Sequence, residues 1–164
     1  MDDPSNGRYS RAPELEDLVG LCRSLNEHQV NYILIGGFAV ILHGSVRGTK
    51  DIDLLVDPSE ENVKKIKSAM GSLPDNAVAL IQNDEIKKYE VIRVADEIVV
   101  DLMAKACGIS YQDAKSQIEW HEIDGVRIPV AQKDLLIRLK QTVRPSDQSD
   151  VLFLQEALNI EKKR

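Results

Sequence analysis

The sequence predicts an α/β fold: a mixed, twisted sheet of about five strands with helices packed on it, closed by two C-terminal helices. Three observations predict this. Short apolar strand-like runs alternate with apolar stripes at helical spacing. Asp124-Gly125, between two strand-like runs, is the strongest hairpin-turn signal in the chain. The last thirty or so residues carry two helical stripes split by Pro145, which biases Arg144 away from helix.

Residues 1–11, rich in Pro, Ser, Asn and Gly, read as a disordered lead, and 12–160 as one domain. Pro13 suits a first helical position, with Glu14, Glu16 and Asp17 near the positive helix end. Leu15, Leu18, Val19, Cys22 and Leu25 form the apolar stripe of that helix. Residues 32–35 are a β-type run ending at Gly36-Gly37. Phe38, Ala39, Ile41 and Leu42 then follow a helical pattern. A polar turn with His43, Gly44, Ser45, Arg47 and Thr49 leads into a strand that opens with Asp51-Ile52-Asp53. Ser59 caps the next helix, with Val63, Ile66, Ala69 and Met70 inward, Lys64, Lys65 and Lys67 on its solvated face, and Gly71 as its stop. Residues 77–81, 88–94 and 97–103 read as strands, the last two as a hairpin turning at Ala95-Asp96. A short helix within 108–117 precedes strands 118–123 and 126–130. Helices are expected at 132–142 and at 146–159, the second capped by Ser146 and buried at Val151, Leu154 and Leu158.

The chemistry concentrates in the stretch 32–57. Glycine at a strand-to-helix turn lets backbone approach a ligand closely, and free N–H groups at a helix start favour phosphate. Strand side chains alternate, so Asp51 and Asp53 share one face. Two such carboxylates can hold hard divalent cations, and two metals ~3.5–4 Å apart can clamp a phosphoryl centre. Asp101 lies inside the apolar run 97–103, where an unpaired charge is costly. Its other reading is a partly exposed strand residue.

These residues resemble the signature of the DNA polymerase beta-type nucleotidyltransferase superfamily: a glycine pair, Asp-x-Asp on a strand and a third Asp on a neighbouring strand. Leu34-Ile35-Gly36-Gly37, His43-Gly44 and Arg47-Gly48-Thr49-Lys50-Asp51-Ile52-Asp53-Leu54 are most similar to the small stand-alone prokaryotic group, which includes minimal, antitoxin-type and lincosamide- or aminoglycoside-modifying members. The resemblance implies the nucleotidyltransferase fold and transfer of an NMP group from an NTP to a hydroxyl acceptor. Asp51, Asp53 and Asp101 become catalytic and metal-binding candidates for two Mg²⁺ ions, with Mn²⁺ as a substitute. Asp101 would also serve as general base. Gly36 and Gly37 would face the phosphates, with Arg47 adding charge. Many superfamily members carry serine where Gly37 stands. Thr49 suits either a ligand contact or a hold on the turn before Asp51. Lys140, Arg144, Asp147 and Asp150 match the C-terminal pattern of small members. Lys140 and Arg144 either meet phosphates or form a surface ion-pair network with the two aspartates.

Composition narrows the partners. A net charge of −6 argues against broad DNA binding, and 4% aromatic content against base stacking. No run approaches a membrane span, and the acidic, polar start is no signal peptide, so a cytoplasmic location is expected. Cys22 and Cys107 suit a reducing compartment. No Cys or second His lies near His121 in sequence, so no zinc site is expected there. Larger members of the resembled superfamily hold the acceptor on an added helical domain, and the resemblance leaves only residues 131–158 for that role. A homodimer or a partner toxin would complete the cleft, or the acceptor is a small hydroxylated molecule. A second reading is a non-catalytic antitoxin-type module that masks a toxin with the same fold.

Overall fold

A computed structural model describes residues 10–164; most of the expected lead lies outside that range. Ser10 and Arg11, placed in the lead by the sequence, are tied down. The Ser10 hydroxyl donates to the Asp96 carbonyl at 2.6 Å, and the Arg11 N–H to that of Glu97 at 2.9 Å.

The sheet has six strands rather than five. These are β1 (Tyr32–Ile35), β2 (Asp51–Val56), β3 (Ile92–Ala95), β4 (Val99–Met103), and, after the short ribbon of β5 (Lys105–Ala106) and β6 (Ile109–Ser110), β7 (Ile118–Ile123) and β8 (Val126–Ala131). Their spatial order is β3-β4-β2-β1-β8-β7. The sheet is mixed: β2 runs parallel to β4 and β1 to β8, and the other pairs are antiparallel. The central strand β1 is buried along its whole length, as a run of Tyr-Ile-Leu-Ile requires.

Helices α1 (Leu15–Glu27), α2 (Gly36–Leu42) and α3 (Glu60–Met70) precede the short α4 (Glu85–Lys88) and α5 (Tyr111–Ala114), and α6 (Lys133–Leu139) and α7 (Pro145–Lys162) end the chain. The α1 stripe packs as expected except for Leu15, which is exposed. That helix starts two residues after Pro13: the Glu14 N–H is capped by Asp17 at 2.7 Å. In α3, Ser59 caps the Asn62 N–H, and Val63, Ile66, Ala69 and Met70 are buried. Lys64 and Lys65 pair with Glu60 and Glu61 one turn back, on the solvated face.

Several expected strands differ. Residues Ala77–Leu80 form a 3₁₀ turn, because Val78 and Ile81 turn inward at a spacing of three while Leu80 is exposed. The Asp96 carboxylate accepts from the Asp75 and Ala77 N–H groups, and Lys67 reaches the Ile81 carbonyl. Both contacts hold this segment off the sheet. Of 88–94, Lys88 ends α4 and β3 begins only at Ile92. In 108–117, β6 precedes the expected short helix, and Cys107 and Gly108 turn the ribbon with positive φ. Pro145 occupies the first turn of α7 and extended Arg144 is its cap position, so Ser146 lies inside the helix and does not cap it. The Asp124-Gly125 turn forms as expected, with φ of 51° and 77°.

Candidate active site

The carboxylates meet because of register. Parallel pairing of β2 and β4 sets Asp53 opposite Asp101, with Asp51 one same-face step away. One oxygen from each of the three lies within 4.8 Å of the others. Such an all-oxygen cluster suits a hard divalent cation. Burial and the charges of Asp51 and Asp101 push the Asp53 carboxyl up to about 7, and burial and the Asp101 charge push Asp51 up as well.

The turn from β1 into α2 forms one wall. Gly36 has φ of +73°, and a Cβ there would lie 2.0 Å from Asp53 Oδ2. Only glycine allows the backbone this close to the carboxylate. At Gly37, a Cβ would stand 2.8 Å from Thr49 Oγ1 and 3.1 Å from Thr49 Cβ. Thr49 therefore fills the space a serine at 37 would need, and its hydroxyl donates to the Asp51 carbonyl at 3.1 Å. The Thr49 contact in this structure is the turn-holding one.

The opposite wall comes from the α6–α7 connection. Lys140 is buried, and its Nζ lies 2.9 Å from Asp150 Oδ2 and 3.3 Å from Asp147 Oδ1. Arg47 reaches across to Asp150 at 2.5 Å, and Arg144 pairs with Asp147 at 2.8 Å. Burial would raise the Asp147 carboxyl, but hydrogen bonds from Thr142 and Arg144 and the charge of Lys140 outweigh it and hold it below the usual range. The expected ion-pair network thus exists, with its two aspartates and its lysine buried rather than on the surface. Together these walls enclose a cleft of about 730 Å³, lined by the three aspartates, Gly36, Gly37, Arg47, Thr49, Lys140 and Arg144, while Asp150 stands behind it. That volume falls in the ~300–1,000 Å³ range of small-molecule sites.

One site residue escaped the sequence reading. Arg93 on β3 faces Asp101 in the antiparallel register and grips it with Nε on Oδ1 and Nη2 on Oδ2, both at 3.0 Å; Nη2 also lies 3.2 Å from Asp51 Oδ2. The guanidinium places a positive charge against the acidic cluster. A two-residue turn at 95–96 would set Arg93 opposite Ile98. The observed turn instead pairs Ala95 with Val99 and slides Arg93 onto Asp101.

The family described as a nucleotidyltransferase of unknown function (DUF6036) matches residues 14–160. The chain belongs to this nucleotidyltransferase family. Solved structures carry the same fold. A candidate nucleotidyltransferase from Thermotoga maritima matches with a TM-score of 0.56 and 18% identity over 97% of this chain and 96% of its own. The lincosamide antibiotic adenylyltransferase LnuA, solved with lincomycin bound, matches with a TM-score of 0.56 and 14% identity over 90% of this chain and 99% of its own. An antigenic nucleotidyltransferase-like protein from Paracoccidioides brasiliensis matches with a TM-score of 0.50 and 18% identity over 95% and 91%. A comparison with curated proteins finds no match. Among the described residues, no helix is long and apolar enough to cross a membrane.

Proposed function

We propose that this protein is a metal-dependent nucleotidyltransferase that moves an NMP group from an NTP to a hydroxyl acceptor. The observation that carries this reading is the convergence of Asp51, Asp53 and Asp101 within 4.8 Å at the floor of a cleft walled by glycine backbone and cationic side chains. The acceptor oxygen forms a bond to the α-phosphorus, the bond between the α-phosphorus and its bridging oxygen to the β-phosphate breaks, and pyrophosphate leaves. Asp101 takes the acceptor proton. Its carboxylate is held by Arg93, so Arg93 must first withdraw; the Arg93 side chain is 61% exposed, which leaves it room to do so. Asp51, Asp53 and Asp101 would hold Mg²⁺ or Mn²⁺, which supplies Lewis-acid stabilisation of the phosphoryl charge. Lys140 and Arg144 on the opposite wall and Arg47 on the glycine side supply positive charge for the triphosphate, and Gly36-Gly37 admits its phosphates close to backbone.

A second cleft of about 800 Å³ shares Met103, Ala106 and Arg144 with the first and carries Lys87, Lys88 and Lys105. It is the natural approach for the acceptor, and its charge disfavours a cationic one. A hydroxyl of a partner protein or of a small neutral or anionic molecule fits it better than an aminoglycoside. The lincosamide adenylyltransferase of the same fold supports a small hydroxylated acceptor as one option.

The test uses α-labelled NTPs with Mg²⁺, the purified protein and a lysate of its own species. Label should pass to a protein or small molecule, and Asp51→Asn/Asp53→Asn should abolish the transfer. Absence of both transfer and metal-dependent nucleotide binding would overturn the enzyme reading in favour of a masking module.

A further inference from the structure

A second cluster lies at the far end of α2. His43, the residue that caps α2, meets Glu119 and His121, which share one face of the edge strand β7. One ligand atom from each of the three lies within 4.8 Å of the others. The two imidazoles stand edge to face, their centroids 5.4 Å apart. We propose that His43 Nδ1, His121 Nε2 and the Glu119 carboxylate form a binding site for a borderline transition-metal ion of the Zn²⁺ class, separate from the carboxylate cluster of the cleft.

The hydrogen-bonding pattern argues for a ligand set rather than an ion-pair cluster. His43 Nε2 lies 2.8 Å from the Ala131 carbonyl, an acceptor only, so Nε2 carries the proton and Nδ1 keeps its lone pair. Nδ1 faces Glu119 Oε2 at 3.8 Å, too far for a hydrogen bond. A carbonyl that fixes the tautomer in this way is the usual outer support of a metal-bound histidine. His121 Nε2 lies 3.9 Å from Glu119 Oε1 and is the one buried side-chain nitrogen or oxygen among the described residues without a hydrogen-bond partner. The His43 lone pair and the Glu119 carboxylate thus converge on a buried His121 nitrogen that no hydrogen bond satisfies. Lys133 is a cation whose charge reaches His43, and Glu161 pairs with it at 2.5 Å.

Two nitrogens and one oxygen suit zinc, whose bonds of about 2.0–2.2 Å place its ligand atoms roughly 3.4 Å apart. The 3.8 and 3.9 Å contacts run to different oxygens of Glu119, and one ligand atom from each residue lies within 4.8 Å of the others, so the set must close by up to about 1.4 Å around an ion. Glu119 is half exposed, which gives it the freedom to close and the ion a way in. Magnesium, which prefers oxygen, is excluded by the same donor set. A bound ion would staple the end of α2 to the outer edge of the sheet, about 10 Å of helix from Gly36.

The experiment is a Co²⁺ titration of metal-stripped full-length protein, read by visible d–d absorption and by competition with Zn²⁺. One Co²⁺ should bind with a low-coordination spectrum and be displaced by Zn²⁺ but not by Mg²⁺. The spectrum should persist in Asp51→Asn/Asp53→Asn. It should be lost, with binding weakened tenfold or more, in His121→Ala. Glu119→Gln, at a half-exposed position, is the second variant and should weaken binding several-fold, with circular dichroism confirming that both variants fold. No Co²⁺ spectrum in the wild type, binding unchanged in folded His121→Ala and Glu119→Gln, or loss confined to the Asp51→Asn/Asp53→Asn variant would each overturn the proposal.

Discussion

Gly37 and Thr49 are two halves of one steric choice. The backbone at Gly37 is helical, so a serine there would by itself gain helix propensity over glycine, about 0.3–0.5 kcal/mol. The Thr49 side chain reverses the sign, because it stands 2.8 Å from the new Cβ. Gly37→Ser should therefore destabilise the protein by about 1–3 kcal/mol, as overpacking does. In Gly37→Ser/Thr49→Ala part of that loss should return, because Oγ1 at 2.8 Å is removed while the residue-49 Cβ at 3.1 Å and the lost hydrogen bond to the Asp51 carbonyl limit the recovery. Urea melts of the two single variants and the double variant would measure the coupling; additive effects would refute the shared space. Thr49 thus offers a hydroxyl beside Gly37, where a serine side chain would otherwise stand.

At the scale of elements, the α6–α7 connection decides how the cationic wall is held. Proline at the start of α7 ends the preceding connection in extended backbone at Arg144, and α7 then presents Asp147 and Asp150 to Lys140. A buried lysine with two carboxylate partners is a strained commitment: removing one partner of a buried ion pair typically costs about 3–5 kcal/mol. Arg47, Arg144 and Thr142 remain as partners of the two aspartates in a Lys140→Met variant, so the expected loss is smaller, about 2–4 kcal/mol. Lys140→Met should also weaken nucleotide binding, because Lys140 lines the cleft and its charge favours an ionised Asp53. Equilibrium unfolding and nucleotide titration would read the two effects separately. A variant as stable as the wild type would mean that the network contributes nothing.

At the scale of the whole molecule, the acidic cluster sets a pH dependence. The folded protein holds the Asp53 proton up to about pH 7, whereas an unfolded aspartate releases it near 3.8. Folding therefore takes up a proton between about pH 4 and 7, and stability falls as pH rises through that window and stays low above it. Three pH units at ~1.4 kcal/mol each bound the loss at about 4 kcal/mol, and Arg93 already offsets some of the repulsion. Metal-free protein should melt lower at pH 8 than at pH 5. Asp53→Asn should flatten that slope and raise the melting temperature at pH 8 while abolishing transfer. Mg²⁺ at 100 times its Kd should restore about 2.7 kcal/mol to the wild type, or roughly 5–10 °C in a chain of this size, and much less to Asp53→Asn. Scanning calorimetry with and without Mg²⁺ decides it, and a pH-independent melting temperature in metal-free protein would refute the coupling.

By itself, the sequence determined the α/β class, the glycine turn, the shared face of Asp51 and Asp53, the Asp124-Gly125 hairpin and the break at Pro145. Each is written locally, in a two-residue period, a turn dipeptide or a ring that fixes φ. It misread 77–81 as a strand because an apolar run of that length has no periodicity to choose between strand and 3₁₀ turn, and the deciding partners, Asp96 and Lys67, are remote in sequence. Only the tertiary structure decided which groups meet. Parallel pairing put Asp101 beside Asp53, a longer hairpin turn put Arg93 on Asp101, and the packing of α2 against the sheet put His43 beside His121, where the sequence offered a lone histidine. These are contacts between distant segments, fixed by register and packing, and no local pattern encodes them.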